Sequence, residues 1–132
     1  MKPRFKILIV DDDADDREIV KDAFETLQNN YEYVFLENGD RLLEHLNTAD
    51  TNGSSLILLD LNMPGKDGRE SLKEIKTDKR FSHIPTIIFT TSSSPRDKQL
   101  SYEMGANCFV TKPDTFKKLS ELADYISKLW LQ

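Results

Sequence analysis

The sequence has few of the features that mark secreted or membrane-bound proteins. Its 132 residues include one cysteine, Cys108, which precedes Phe109 and Val110 in an apolar context typical of a small core residue. The first apolar run ends at Val10 and meets three aspartates, so the N-terminus does not fit a signal peptide. No apolar run reaches the roughly 18 residues that a membrane span requires. The sequence therefore predicts a cytoplasmic protein without a membrane segment.

Positive charge and histidine are also scarce. Lysine and arginine number 18 against 23 aspartates and glutamates, which gives a net charge of −5 and a pI near 5.0. Such a chain has no basic field to hold phosphate backbones, which argues against direct nucleic-acid binding and favours metal or protein partners. His45 falls on a predicted helix and His83 in a predicted turn, so both are expected at the surface rather than as metal ligands.

The chain does contain a regular alternation of short apolar runs and amphipathic stretches, with no internal repeat. Its length suits one domain spanning residues 1–132. Strands are predicted at residues 5–10, 33–36, 56–59, 86–90 and 108–111. Helices are predicted from 13 or 14 to 28, at 39–47, at 69–77, between a Ser94 cap and Gly105, and from 114 onwards, with a polar loop at 48–54.

The last helix is predicted to begin at an Asp114 cap and to bury one apolar stripe. This stripe comprises Phe116, Leu119, Leu122, Ala123, Ile126 and Leu129. The connections between successive strands are too long for hairpins, which implies parallel pairing through right-handed crossovers. The predicted architecture is a doubly wound α/β sandwich of three layers.

Polar side chains lie at the ends of four of the predicted strands. Asp11 and Asp12 come after the first strand, Asp60 after the central one, Thr90 ends the fourth, and Lys112 follows the fifth. In a parallel sheet these strand ends lie along one edge, so we expect the side chains to converge. Two carboxylates about 4 Å apart repel by about 4 kcal/mol at an effective dielectric of 20, so three together require a cation. Oxygen ligands suit Mg²⁺ better than zinc.

An aspartate beside a divalent ion, a lysine and a hydroxyl suits phosphoryl transfer. Asp60 is the candidate nucleophile, Lys112 can pair with a phosphoryl oxygen, and Thr90 can donate a hydrogen bond to another. Taken singly, each residue has an ordinary explanation, as a turn acid, a solvated lysine or a β-branched strand residue. Their occurrence together at converging strand ends favours a functional site.

Four motifs carry a resemblance to a known family. They are ILIVDDD at 7–13, LLDLNMPGKDG at 58–68, IIFTTS at 87–92 and GANCFVTKP at 105–113. Over nearly its whole length the chain resembles the receiver domain of two-component response regulators. The resemblance implies a flavodoxin-like (βα)5 fold with strand order 2-1-3-4-5. It also implies that Asp60 accepts a phosphoryl group from a histidine kinase or a phosphotransfer protein.

The resemblance assigns further roles. Asp12, Asp60 and the backbone carbonyl of Asn62 would bind Mg²⁺, with Asp11 acting through water. Thr90 and Phe109 match the switch pair of the family, although many members have Tyr at the second position. The bond between Lys112 and its following proline is expected to be cis, as it often is in this family.

A closer resemblance is to single-domain regulators paired with phytochrome-type and related hybrid kinases, carried by residues 59–76, 90–94, 102–107 and 129–130. No effector domain is expected, so the output would be a protein contact. In receivers the usual output surface is the fourth helix, fifth strand and fifth helix. Met104, Phe109, Phe116 and Trp130 could anchor a partner there, or a second copy in a homodimer.

Two alternatives compete with a phosphorylatable switch. A Mg²⁺-dependent hydrolase with an aspartyl nucleophile needs a second acid two residues after it, and Asn62 occupies that position. A pseudo-receiver that only docks partners would have lost an acid, the hydroxyl or the lysine, and none is lost here. The sequence therefore favours a phosphoacceptor that assists its own phosphorylation and dephosphorylation, rather than a turnover enzyme.

Overall fold

Strands and helices alternate along the chain in a computed structural model that describes residues 5–48, 55–63, 65 and 67–131. The strands are β1 Lys6–Val10, β2 Glu32–Leu36, β3 Ser55–Leu59, β4 Thr86–Thr90 and β5 Cys108–Thr111. The helices are α1 Ala14–Glu25, α2 Gly39–Thr48, α3 Gly68–Thr77, α4 Pro95–Glu103 and α5 Phe116–Trp130. This order confirms the predicted alternation. The predicted polar loop, apart from Thr48, lies outside the described residues.

The five strands form one parallel sheet in the order β2-β1-β3-β4-β5. Neighbouring strands are aligned without stagger at the centre, where Ile9 pairs with both Phe35 and Leu58. The predicted flavodoxin-like (βα)5 fold is therefore confirmed. Because all strands run the same way, their carboxyl ends lie along one edge.

Helices cover both faces of the sheet, and the alternation of side chains along β1 shows how. Ile7 and Ile9 pack in a cluster with residues of α1 and α5, whereas Leu8 and Val10 pack with residues of α2 and α3. All four are almost fully buried. Since each buried side chain of this size contributes about 1.5–3 kcal/mol, the two clusters hold the central strands firmly. Residues just beyond these strands therefore have well-defined positions.

Helices α1, α3 and α4 begin close to the carboxyl edge of the sheet, each with a polar cap. The Asp13 carboxylate accepts the amides of Asp15 and Asp16 at the start of α1. Asp67 caps α3 in the same way, and Ser94 caps α4 with Pro95 in the first turn, as predicted. These caps join the loops at the edge directly to the helices.

Two predicted helix ends are wrong. Helix α1 ends at Glu25 instead of residue 28, because the Thr26 hydroxyl donates to the Ala23 carbonyl and the next amides form the tighter bonds of a turn. Thr115, rather than Asp114, caps α5, since its hydroxyl accepts the Lys118 amide at 3.2 Å.

The predicted stripe of α5 is also only partly correct. Leu119, Ala123 and Ile126 are buried, but Phe116 and Leu129 are exposed. The exposure of Leu129 comes from the face of α5 on which it lies and not from the length of the helix, since Leu131 just beyond it is buried. Cys108 is partly buried against the core, and Trp130 packs in the same way.

The peptide bond between Lys112 and Pro113 is trans, so the expectation of a cis bond is wrong. The trans form is preferred by only about 0.5–1 kcal/mol before proline, so the sequence alone does not determine the isomer. Within the described ranges, no helix is both long and apolar enough to cross a membrane.

Candidate functional site

The hydrogen-bond ladder of the sheet continues by one residue beyond three strands. The Asp11 amide donates to the Leu36 carbonyl at 3.0 Å, and the Asp60 amide donates to the Val10 carbonyl at 3.0 Å. At the other side of the sheet, the Lys112 amide donates to the Thr90 carbonyl at 2.7 Å. The backbone thus fixes Asp11, Asp60 and Lys112 at the same edge, where the sequence predicted them.

Three carboxylates gather at this edge. Asp11, Asp12 and Asp60 can each present an oxygen such that all three oxygens lie within 4.8 Å of one another. Asp11 and Asp60 are buried, and Asp12 is exposed. Hard carboxylate oxygens on one open side are the donors that Mg²⁺ or a similar divalent cation prefers. The cluster can therefore bind a divalent metal.

Lys112 lies among these acids with its side chain only 13% exposed. Its ammonium is 2.7 Å from Asp11 Oδ2 and 3.7 Å from Asp60 Oδ2. It is also 3.2 Å from Asp16 Oδ2, a contact that the sequence interpretation missed. Asp16 lies in the first turn of α1, and no local spacing relates it to Lys112, so this contact depends on the tertiary arrangement.

The surroundings shift the pKa values of both Asp60 and Lys112. Burial raises the pKa of Asp60, and it outweighs the opposing effects of Lys112, the Asn62 amide and Thr90. Burial lowers the pKa of Lys112, but Asp11, Asp60 and Asp16 together outweigh it, so the net pKa is raised. Lys112 therefore stays charged at neutral pH and faces Asp60 at 3.7 Å.

Two further groups lie at Asp60. The Asn62 amide donates to Asp60 Oδ1 at 3.2 Å, and the hydroxyl of the fully buried Thr90 is close enough to lower the pKa of this carboxylate. The Ser92 amide donates in turn to Thr90 Oγ1 at 3.3 Å. Thr90 thus joins Asp60 to the loop that leads to α4.

A polar network, also missed from sequence, fastens this loop. Ser92 Oγ lies 2.7 Å from Asp97 Oδ2, and Arg69 Nη2 donates to Asp97 Oδ1 at 3.0 Å. The hydrogen bond from Ser92, followed by that from Arg69, lowers the pKa of Asp97. The Thr111 hydroxyl donates to the Ser92 carbonyl at 2.9 Å. The network connects the start of α4 to α3 and to the loop beside Thr90.

Phe109 is partly buried and packs against the core cluster on the side of α2 and α3. Its backbone amide donates to the Tyr102 hydroxyl of α4 at 3.1 Å. The predicted switch positions Thr90 and Phe109 are therefore each linked to the region of α4. The histidines lie outside the site, as expected, with His45 on α2 and His83 exposed before β4.

A crevice of about 300 Å³ opens beside Lys112, between α1 and the start of α5. Asp16 and Lys112 line its polar end, and Ile19, Pro113 and Phe116 line its apolar part. Ile19 and Phe116 are both exposed. The crevice therefore places exposed apolar side chains beside Lys112.

The comparisons with known proteins agree with this geometry. The family model of the response regulator receiver domain matches residues 7–124. Response regulator Rcp1 of Synechocystis is 36% identical over 130 residues, which cover 96% of this chain and 88% of Rcp1. Chemotaxis protein CheY1 of Helicobacter pylori is 32% identical over 123 residues, 92% of this chain and 95% of CheY1. The chain therefore belongs to the response regulator receiver family, whose members are signalling phosphoacceptors.

Solved structures give the same result. The phosphorylated cyanobacterial phytochrome response regulator RcpA is 33% identical, has a TM-score of 0.86, and is matched over 100% of this chain and 96% of RcpA. The Mn²⁺-bound form of Rcp1 is 36% identical with a TM-score of 0.83, over 96% of this chain and 94% of Rcp1. The expected likeness to phytochrome-associated regulators is confirmed. Receivers in general interact with histidine kinases and with downstream targets.

Proposed function

We propose that Asp60 is the phosphoacceptor of this receiver and that its donor is a histidine kinase or a phosphotransfer protein. The observation that carries this assignment is the convergence of Lys112, Thr90 and the Asn62 amide upon one buried carboxylate. The Asp11 carboxylate is paired directly with Lys112 at 2.7 Å, and Asp12 is exposed, so neither carboxylate has this set of donors.

In the proposed reaction an Asp60 oxygen attacks the phosphorus atom of a phosphohistidine. The oxygen–phosphorus bond forms as the phosphorus–nitrogen bond breaks, and the electron pair of that bond stays on the imidazole nitrogen. The Lys112 ammonium then pairs with one phosphoryl oxygen and the Thr90 hydroxyl donates to another. Lys112 already lies 3.7 Å from Asp60 Oδ2, so its ammonium needs little movement to reach the phosphoryl group.

The proposed metal is Mg²⁺, which would neutralise charge on the phosphoryl oxygens when bound. Asp12, Asp60 and the backbone carbonyl of Asn62 would hold it, with Asp11 acting through water. The oxygen donors and the open side of the cluster fit a cation that keeps several waters. The Mn²⁺-bound form of Rcp1 supports a divalent site in a similar chain.

The proposed switch begins at Thr90. When its hydroxyl turns towards the phosphoryl group, it leaves the Ser92 amide, so the loop before α4 must adjust. Phe109 would then turn further inward, and its backbone bond to Tyr102 connects that movement to α4. The surface formed by α4, β5 and α5 would change as a result.

We propose this α4-β5-α5 surface as the site for a downstream protein target or for a homodimer. Of the anchors predicted from sequence, Phe116 is exposed, while Met104, Phe109 and Trp130 are partly buried. Additional exposed apolar side chains lie on the two helices: Leu100, Tyr102, Tyr125 and Leu129. Light scattering with and without beryllium fluoride, a mimic of the phosphoryl group, tests dimerisation, and a monomer mass in both states would exclude the homodimer.

The chain would act as a phosphoacceptor that assists its own phosphorylation and dephosphorylation, without turning over a separate substrate. Asn62, exposed and uncharged, supplies no second acid for a hydrolase. The absence of an effector domain, the cytoplasmic location and the absence of nucleic-acid binding stay predictions.

Labelling tests the proposed acceptor. Wild-type protein incubated with radiolabelled acetyl phosphate and Mg²⁺ should acquire a label that hydroxylamine removes, as expected of an acyl phosphate. Asp60→Asn should abolish this label. Asp22→Asn removes an exposed charge of α1 away from the cluster and should label like wild type. Equal labelling of Asp60→Asn would disprove the assignment.

A further inference from the structure

Lys112 contacts three carboxylates, but only two of them belong to the metal cluster. Asp11 and Asp60 are members of the group whose oxygens lie within 4.8 Å of one another, and Asp16 is not. Asp16 is nevertheless closer to the ammonium than Asp60 is, at 3.2 Å against 3.7 Å. Lys112 is therefore shared between the proposed acceptor, Asp60, and Asp16 of α1, which is not a member of the metal cluster.

Asp16 approaches Lys112 from the solvent side. Its side chain is 43% exposed, whereas that of Lys112 is 13% exposed. The backbone of Asp16 is held in the first turn of α1, because its amide donates to Asp13 Oδ1 at 3.2 Å. This carboxylate can therefore keep its contact with the ammonium when the charges of Asp11 and Asp60 are engaged by another cation.

We propose that Asp16 is a positioning residue for phosphoryl transfer, which holds the Lys112 ammonium on the α1 side of the cluster. The proposal rests on the assignment of Asp60 as the acceptor. It has two consequences of opposite sign, one for metal binding and one for reaction with a phosphodonor.

For metal binding, Asp16 is favourable. The Lys112 ammonium lies 2.7 Å from Asp11 Oδ2 and so competes with a hydrated divalent cation for the charge of Asp11. Asp16 draws the ammonium away from this carboxylate. Removal of the Asp16 charge should therefore weaken Mg²⁺ binding.

For the phosphodonor, Asp16 is unfavourable. The entering phosphoryl group is anionic and needs Lys112 as its partner. Asp16 competes for that lysine and repels the anion. Removal of its charge should therefore accelerate labelling once Mg²⁺ is saturating.

Asp16→Asn and Asp15→Asn form a matched pair that tests the proposal. Both replace an acid in the first turn of α1, and Asp15 is exposed and not among the carboxylates that contact Lys112. Calorimetric titration measures Mg²⁺ affinity, and initial rates with acetyl phosphate at saturating Mg²⁺ measure labelling. Asp16→Asn should weaken Mg²⁺ binding and accelerate labelling, each by about two- to fivefold, the range for a partly exposed ion pair. Asp15→Asn should change both by much less.

Repetition of the Mg²⁺ titration in a Lys112→Gln background shows whether the effect acts through the lysine. There, Asp16→Asn should weaken binding no more than Asp15→Asn does. A larger effect of Asp16→Asn in that background would mean direct action on the metal and would overturn the positioning role. Equal behaviour of the two single variants, or slower labelling of Asp16→Asn, would also overturn it. Labelling of Asp60→Asn would instead refute the proposed acceptor, so the two failures are distinguishable.

Discussion

Gly68, the first residue of α3, lies against the backbone of the proposed acceptor. A Cβ atom at this position would be 2.1 Å from the Asp60 carbonyl oxygen and 2.7 Å from the Leu61 Cα. The Gly68 amide also donates to the Leu61 carbonyl at 3.0 Å, which holds the two segments together. Glycine is therefore required by close approach of the backbone here, and we predict that Gly68→Ala is strongly destabilising.

The size of the effect can be worked out from the clash. Backbone atoms cannot rotate away as the end of a side chain can, so α3 or the segment after β3 must move by about 1 Å to restore a normal contact. Overpacking of this kind costs about 3 kcal/mol, at the upper end of its usual range. For a chain of 132 residues this lowers the melting temperature by about 10 °C.

Gly65, which lies between β3 and α3, provides the control. It has a φ of 77°, but nothing lies within 4 Å of a Cβ built on it, so Gly65→Ala should cost only the strain of the left-handed backbone, about 1–2 kcal/mol. Calorimetric melting and acetyl phosphate labelling should be measured for both variants. Gly68→Ala should also lose about tenfold or more in labelling rate, because the acceptor is displaced. If Gly68→Ala melts and labels like Gly65→Ala, the close approach of α3 to Asp60 is refuted.

Three further predictions concern other parts of the molecule. Thr115→Ala should lower stability by about 1 kcal/mol through loss of the α5 cap, while Asp114→Ala should have little effect, and chemical denaturation of both compares them. Tyr33, whose buried hydroxyl lacks a hydrogen-bond partner within the described ranges, has its pKa raised to about 12, mainly by burial. Tyrosine in the unfolded chain ionises near pH 10, before the buried Tyr33 does, so the free energy of unfolding should fall between pH 10 and pH 12. Phe at this position should leave stability at neutral pH unchanged or higher and remove the latest tyrosine ionisation in an absorbance titration. Asp97→Asn should weaken the contact with Arg69 and speed amide hydrogen exchange at the start of α4, and unchanged exchange would contradict a role for this ion pair in fastening the helix.

The arrangement of strands was predictable because burial leaves a clear pattern. Strands β3 and β4 are covered by helices on both faces, so they are short continuous apolar runs bounded by polar or turn residues. The edge strand β2 is partly exposed and gives a weaker signal, and its predicted start differs by one residue from Glu32. Parallel order could be inferred from the length of the connections, and the strand order came from the resemblance.

Helix ends were less predictable because competing caps look alike in sequence. Asp114 and Thr115 are both good N-cap residues, and only the backbone conformation decides that the Thr115 hydroxyl meets the Lys118 amide. The end of α1 depends similarly on the hydroxyl of Thr26, which can bond within the helix or to water. Periodicity alone does not resolve such choices.

The candidate site combines residues at strand ends, which sequence reasoning found, with residues on helices, which it missed. Asp11, Asp60 and Lys112 were found from sequence because a parallel sheet places the residues after its strands at one edge. Asp16 and its partner Lys112 are 96 residues apart and obey no local spacing, and the pair Arg69 and Asp97, 28 residues apart, obeys none either. That contact exists only because α3 and α4 begin side by side next to the site. The residues of the proposed acceptor site can thus be predicted from strand ends, whereas the proposed route from Thr90 to α4 depends on packing between helices, which sequence patterns do not encode.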